Sequence, residues 1–318
     1  MSYRIICDRD DPAWLDKRRE CGVGSSESPV ILGLSKRTSI VSIYAEKCGV
    51  QIPEPKNQEA LWWGRTLEEK ALERYFEQTG EKFIPFQQML QSIEHPYLTC
   101  TPDATRKQFS DKMLARHADE ITNIDSNDYE ETFAEIKVTA YRIQEWKDGG
   151  VPPDVNCQCQ HVMAITGGQE MRVMVLFFPF ELVYTTAVRD DAFINDLLIP
   201  KCRSFWDHVK NKSPLPQEWI DGSDKTSKAL ELLFSKSEPG GSIELDGEYI
   251  DVFKERQQLK AQEKELKEKA GEIDNKFKLL IGENETAILP DGSRVVWSKG
   301  TKSRRISYKA SAASQQGE

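Results

Sequence analysis

The spacing of apolar residues changes along this chain, and each spacing predicts a different element. Over residues 59–79, Leu61, Leu72, Tyr75 and Phe76 recur at helical intervals, with Glu68 among them as a candidate inward-facing polar group and Arg65 better suited to the surface than to a phosphate contact. Over 131–138 the pattern alternates, which puts Glu135 and Lys137 on one strand face and Ile136 on the other. Strands are also predicted at 83–90, 97–101, 171–178 and 182–188, and helices at 140–147, 155–165 and 190–210. Nearer the start, Trp14, Leu15 and Arg18 lead a helix into a glycine-serine turn, whose serines can cap the next helix. A short helix beginning near Ser39 carries Ile40, Ile43 and Tyr44. Prolines and polar residues at 51–58 mark a connection, and the polar stretch 106–129 reads as an insertion in which Met113 and Leu114 could form a small helix. These pieces assemble into an α/β fold, a mixed central β-sheet flanked by helices.

Beyond residue 220 the rhythm is different. Leu245, Val252, Leu259, Leu266, Ile273 and Leu280 recur every seventh residue, forming one apolar seam without a consistent second one. Pro290-Asp291-Gly292 can turn between short strands at 286–289 and 294–297. The expected organisation is a catalytic core at 1–220, a helical accessory region at 221–300 ending in a β-hairpin, and a flexible, serine-rich basic tail at 301–318. The seam predicts that 244–281 serves assembly or partner binding rather than catalysis.

Composition narrows the possibilities. An apolar share of 38% and a charged share of 30% suit a soluble folded protein. The seven cysteines form no repeated CxxC pattern, so they read as reduced thiols, mostly in the core. HExxH, G-x-S-x-G and P-loop motifs do not occur, which removes the chemistries they carry. With no export signal or membrane-spanning run, the expected location is the cytoplasm. The net charge of -9 gives DNA binding no support by itself, although local positive surface can still attract phosphate.

The candidate chemistry lies in three separated carboxylates and one amine. Asp103 follows Pro102 at the edge of the sheet, Glu135 and Lys137 share a strand face, and Glu68 sits on the preceding long helix. Oxygen ligands of this kind suit magnesium, and a neighbouring ammonium can position water or share charge developing on phosphate. Each residue also fits an ordinary role: Pro102-Asp103 as a turn, Glu135 and Lys137 as a solvated strand pair, Glu68 as an exposed helical acid. His161 fits a core hydrogen bond better than a magnesium site. Trp62 and Trp63 fit core packing better than a DNA-facing wedge.

The order Gly22-Val23-Gly24-Ser25-Ser26-Glu27, Gly64 to Glu68, Pro102-Asp103, Glu135-Ile136-Lys137 and Gln158-Cys159-Gln160-His161 resembles the YqaJ-like viral recombinase exonucleases. These are similar to bacteriophage lambda exonuclease, within the restriction-endonuclease-like PD-(D/E)xK superfamily. The resemblance covers roughly residues 12–210. It implies a restriction-endonuclease-like sheet and a metal site of Asp103, Glu135 and Glu68 holding two Mg2+ ions, with Mn2+ as a substitute. It places Lys137 beside the attacking water and Gln158 as an organiser of the site. Ser26 resembles the serine that grips a 5′-terminal phosphate, and Arg19 lies where the family places an arginine with that role, to within one residue of the adjacent Arg18. Val155 stands near where the family has a tyrosine.

The function so implied is 5′-to-3′ digestion of one strand of linear double-stranded DNA, leaving 3′ single strands for phage-type recombination in a bacterial cytoplasm. The implied partners are duplex DNA ends, further copies of the chain (a trimer) and a single-strand annealing protein, with no membrane. Two rivals use the same residues differently: a restriction or repair endonuclease, and an inactive DNA-binding assembly protein.

Overall fold

In the computed structural model the described residues are 2–51, 58–109, 129–140, 146, 148–178, 181–237, 239–300 and 303–311. Most of the expected insertion, including Met113 and Leu114, lies outside them, as do residues 52–57 of the connection and most of the helix expected at 140–147. The chain divides into two compact units, Met1–Ser237 and Glu238–Glu318.

The first unit holds two sheets. One has five strands in the order β3-β6-β7-β8-β9, built from Ile84–Pro85, Ala104–Phe109, Tyr129–Thr139, Glu170–Phe177 and Glu181–Val188. Within it β7 and β8 are parallel and the other neighbours antiparallel. The other has four strands, β1 (Tyr3–Asp8), β4 (Gln88–Ser92), β5 (Leu98–Cys100) and β2 (Val23–Gly24). The expected mixed sheet with flanking helices is therefore present, with a second sheet beside it. The single strand expected at 83–90 is two strands in different sheets. Phe86 between them donates its N–H to the Asp103 carbonyl at 2.9 Å, which ties this crossing to the next one.

Two helices enclose the five-stranded sheet, and the strand faces explain why. Ala134, Ile136 and Met174 pack with Ala71, Leu72 and Tyr75 of α4 (Gln58–Thr79). Phe133, Val173 and Val175 turn the other way, toward Val155, Cys159, Val162 and Met163 of the glutamine-bearing helix α5 (Pro153–Thr166). A strand buried on both faces loses its alternation, so β8 reads as a continuous apolar run. Burying Ile136 and Met174 in this way contributes about 1.5–3 kcal/mol each.

The N-terminal turn requires glycine at one position. Gly22 has φ +144°, and a Cβ there would sit 2.3 Å from the Tyr97 carbonyl oxygen. The following residue, Val23, donates its N–H to that same oxygen at 2.7 Å and starts β2. The helix expected after the turn, α2 (Ser28–Ile31), is a single turn whose N-terminal flank is Glu27, without a side-chain cap. The expected serine cap is instead found at α3 (Ile40–Lys47), where Ser39 Oγ accepts the Ser42 N–H at 3.1 Å.

The first unit extends to Ser237, beyond the expected boundary at 220. Helix α7 (Asp224–Leu233) follows α6 (Ile199–Asn211) and buries Ala229 against Val41 and Ala45 of α3. The second unit contains α8 (Tyr249–Ile281) and an antiparallel sheet of β10 (Thr286–Ile288), β11 (Arg294–Lys299) and β12 (Arg304–Lys309). β12 corrects the expected flexible tail: alternating Arg304, Ile306 and Tyr308 pair with β11, and Tyr308 stacks edge-on against Phe277. The seam residues Val252, Leu259, Leu266, Ile273 and Leu280 are all exposed. Among the described residues no helix is long and apolar enough to cross a membrane.

Candidate active site

The site forms where the two sheets of the first unit meet. β5 ends at Cys100 in one sheet, β6 begins at Ala104 in the other, and Asp103 lies in the crossing. Its N–H donates to the Ala134 carbonyl at 3.2 Å. β6 starts opposite Ala134, so the Ile136 N–H lies past the end of that ladder. The Asp103 carboxylate takes it, with Oδ2 accepting at 2.8 Å. A buried amide needs a partner, and here the partner is the candidate ligand itself.

On the opposite face of β7, Glu135 is 2% exposed. Its Oε1 accepts from Lys137 Nζ, and from Gln158 Nε2 at 2.7 Å. Gln158 Oε1 in turn accepts from Lys137 Nζ at 3.1 Å, closing a triangle between β7 and α5. Glu68 joins them from α4, and all five residues line one cleft of about 210 Å³.

The electrostatics record a shortage of positive charge. Burial, then Glu135 and Glu68, push the Asp103 carboxyl well above the usual range, with Lys137 opposing. Burial also raises Glu68, against the pull of Arg9. Burial lowers Lys137, but Glu135 and Asp103 outweigh it and its pKa rises, which keeps the ammonium charged. The donor set is all oxygen and under-neutralised, so these residues fit a hard divalent cation. Among the described residues no three carboxylate, thiol or imidazole groups enclose an ion by themselves. Magnesium does not require such a cage, since it keeps waters and takes phosphate oxygens.

The other end of the cleft carries Arg18, Ser25 and Ser26. Arg18 Nη2 donates to Ser26 Oγ at 3.1 Å, and its guanidinium carbon lies 5.5 Å from the centre of the Trp14 ring. The expected Arg19 is not in the cleft: it faces Asp16 at 3.4 Å and Glu46 at 3.8 Å. One residue along α1 (Trp14–Glu20) turns a side chain by about 100°, and that rotation separates the two arginines. Glu68, Asp103, Glu135, Lys137, Gln158 and Ser26 are thus brought together in one cleft, with Arg18 beside Ser26 and Arg19 outside it.

Several neighbours carried no sequence signal for this site. Arg9 follows β1, a strand absent from the expected elements, and lines the cleft near Glu68. Arg37 donates to the Ser26 carbonyl at 2.9 Å. Lys47 pairs with Glu27 at 3.0 Å across twenty residues of sequence. Trp62 and Trp63, expected in the core, are exposed and packed edge to face on each other. His161 is fully buried, and burial holds its pKa down to about 4, so the imidazole is neutral. Of the seven thiols, Cys7, Cys100, Cys157, Cys159 and Cys202 are buried, and none forms a disulfide.

Residues 13–169 match the YqaJ-like viral recombinase domain. The uncharacterized protein YqaJ of Bacillus subtilis (strain 168) is 25% identical over 269 residues, spanning 83% of this chain and 76% of that protein. Among solved structures, an alkaline exonuclease from Laribacter hongkongensis aligns with a TM-score of 0.43 at 18% identity, covering 62% of this chain and 92% of its own. The same exonuclease in complex with dAMP aligns with a TM-score of 0.42 at 18% identity, over 61% of this chain and 90% of its own.

Proposed function

Residues 13–169 are a YqaJ-like viral recombinase domain, and from that premise we propose that the chain is a magnesium-dependent exonuclease acting on ends of duplex DNA. It hydrolyses one strand from 5′ to 3′ and leaves a 3′ single strand for recombination. The observation that carries this reading is the single cleft with two ends: Asp103, Glu135, Glu68, Lys137 and Gln158 at one, Arg18 and Ser26 at the other.

Asp103, Glu135 and Glu68 would hold the cations, two ions in the full site, with Mn2+ able to replace Mg2+. A bound divalent cation supplies positive charge at the scissile phosphate and makes water easier to deprotonate. The chain's own groups do the positioning. Lys137, charged and fixed by Glu135 and Gln158, orients a water by donating to it and offsets charge gathering on phosphate oxygens. Gln158 holds Glu135 and Lys137 in register with its amide, so neither can swing out of line. Ile136 N–H fixes the Asp103 carboxylate toward β7. Arg18 and Ser26 supply the donors that a terminal phosphate monoester needs, which makes the end of the strand the preferred starting point.

On this reading the working form is a homo-oligomer, a trimer retaining the duplex between cuts. It delivers the 3′ strand to an annealing protein in a bacterial cytoplasm, and the exposed seam of α8 is an assembly or partner surface.

The test is digestion of three substrates with Mg2+: 5′-phosphorylated linear duplex, its 5′-hydroxyl counterpart, and covalently closed circles. Fast release of nucleotides from the phosphorylated ends, slower release from hydroxyl ends and intact circles are expected. Rapid cleavage of circles would favour an endonuclease. Binding without cleavage of any substrate would favour a DNA-binding assembly protein.

A further inference from the structure

Beneath the arginine end of the cleft lies a buried ion pair. The Lys47 side chain, in the last turn of α3, is 1% exposed, and that of Glu27 is 8% exposed. Lys47 Nζ donates to Glu27 Oε2 at 3.0 Å and to the Arg18 carbonyl at 2.7 Å. Glu27 Oε2 also accepts the Gly24 N–H at 2.7 Å. The pair therefore fastens three separate segments: the middle of α1, the turn holding Ser26, and the end of α3. A buried ion pair contributes little net stability over well-packed apolar groups. Its value lies in the geometry it fixes.

The geometry favours one particular neighbour. Glu27 Oε1 lies 3.6 Å from Arg18 Nη2, the same nitrogen that donates to Ser26 Oγ at 3.1 Å. Glu27 thus has two cations within reach, and Lys47 is the nearer. A buried carboxylate deprived of one partner draws in the other, because an unpaired charge in a low-dielectric interior is costly. With Lys47 present, Arg18 stays turned toward Ser26. With its charge removed, Arg18 would be pulled down onto Glu27 and away from the cleft.

We propose that Glu27 and Lys47 are positioning residues that hold Arg18 and Ser26 in the arrangement that recognises a terminal phosphate monoester. This rests on the reading of Arg18 and Ser26 as the end-recognition site. Neither Glu27 nor Lys47 touches the reacting atoms. Lys47 acts by satisfying the carboxylate, and Glu27 by tying Lys47 to the turn.

The test is equilibrium binding to duplexes of one sequence bearing either a 5′ phosphate or a 5′ hydroxyl, with chelator present so that nothing is cut. Thermal melting monitors folding. The wild type should bind the phosphorylated end about tenfold tighter, and Arg18→Met should abolish that ratio. Lys47→Met should lower the ratio to within about twofold, since the charge-assisted contact is withdrawn. The gentler Lys47→Gln, which keeps donors for the Arg18 carbonyl, should do the same and serves if Lys47→Met does not fold. Glu27→Gln combined with Lys47→Met removes both charges, frees Arg18 and should restore most of the ratio. An unchanged ratio in the Lys47 variants would overturn the proposal and leave the pair a structural clip. Failure of the double variant to recover would also overturn it, by showing lost packing as the cause. A wild-type ratio near one, equally unaffected by Arg18→Met, would instead remove the end-recognition reading, and the positioning role with it.

Discussion

One lysine–glutamate pair in each unit shows the same two residue types put to opposite purposes. In the first unit, the side chains of Lys137 and Glu135 are 30% and 3% exposed, and each is further fixed by Gln158. In the second, Lys269 and Glu265 on α8 are 65% and 64% exposed and meet only along their own helix. An exposed i,i+4 pair is screened by water and gives up side-chain entropy to form, so it solubilises the helix more than it shapes it. A buried pair must be satisfied from all sides, and each satisfying contact removes a degree of freedom. Precision accumulates where burial forces it, and in this chain that is the cleft.

The sharpest way to break this contrast is to remove a charge from each region. Lys137→Ala should lower the rate of strand hydrolysis by about 10³-fold, with a smaller loss of stability because buried Glu135 keeps only its Gln158 contact. Single-turnover digestion measures it, and near-normal rates would show that Lys137 only fills space. Gly22→Ala should be the most damaging change to folding, costing about 3 kcal/mol or more. Its new Cβ would sit 2.3 Å from a backbone oxygen that cannot withdraw. Denaturant titration would show this, and a loss below about 1 kcal/mol would contradict the strained turn.

A smaller effect has the opposite sign. Burial, then Glu135 and Glu68, raise the Asp103 pKa above its reference value of 3.8, so folding favours the protonated acid. That contribution is complete below the unfolded value and is lost as pH rises through the folded one. At neutral pH the folded protein therefore bears a cost that the unfolded chain does not. With chelator present, Asp103→Asn should raise the melting temperature by about 2–4 °C. The gap should close on acidification and shrink when Mg2+ is added to the wild type. A variant no more stable than wild type at neutral pH would mean that the carboxylates are not in conflict. The smallest change is expected on α8, where Lys269→Ala should move melting by no more than about 1 °C. A larger shift would show that the pair is held by something beyond its own helix.

What the sequence revealed follows the range of the interaction. Alternation around Glu135 and Lys137 and the helical spacing that carries Glu68 are local patterns found where local reasoning puts them, while the seventh-residue seam is helical from Val252, with Leu245 ahead of α8 and no break at Gly271. Asp103 could be placed at a sheet edge, but its bond to Ile136 depends on where β6 stops relative to β7, a matter of register. Arg18 and Arg19 differ by one helical step, which short apolar spacing in a seven-residue helix does not resolve. The Glu27 and Lys47 contact was hidden for another reason: it joins a turn to a helix end, and neither carries a periodic signal at that separation. β12 was missed because a basic, serine-rich composition outweighed a short alternation that only pairing with β11 makes stable.

The central claim is that Asp103, in the crossing before β6, and Glu135, within β7, share a divalent cation in the cleft. The most direct measurement is an anomalous difference map from crystals soaked in Mn2+. A peak between these two carboxylates, lost in Asp103→Asn crystals, is the result this account predicts. Density for the ion elsewhere on the protein, with none between Asp103 and Glu135, would contradict it.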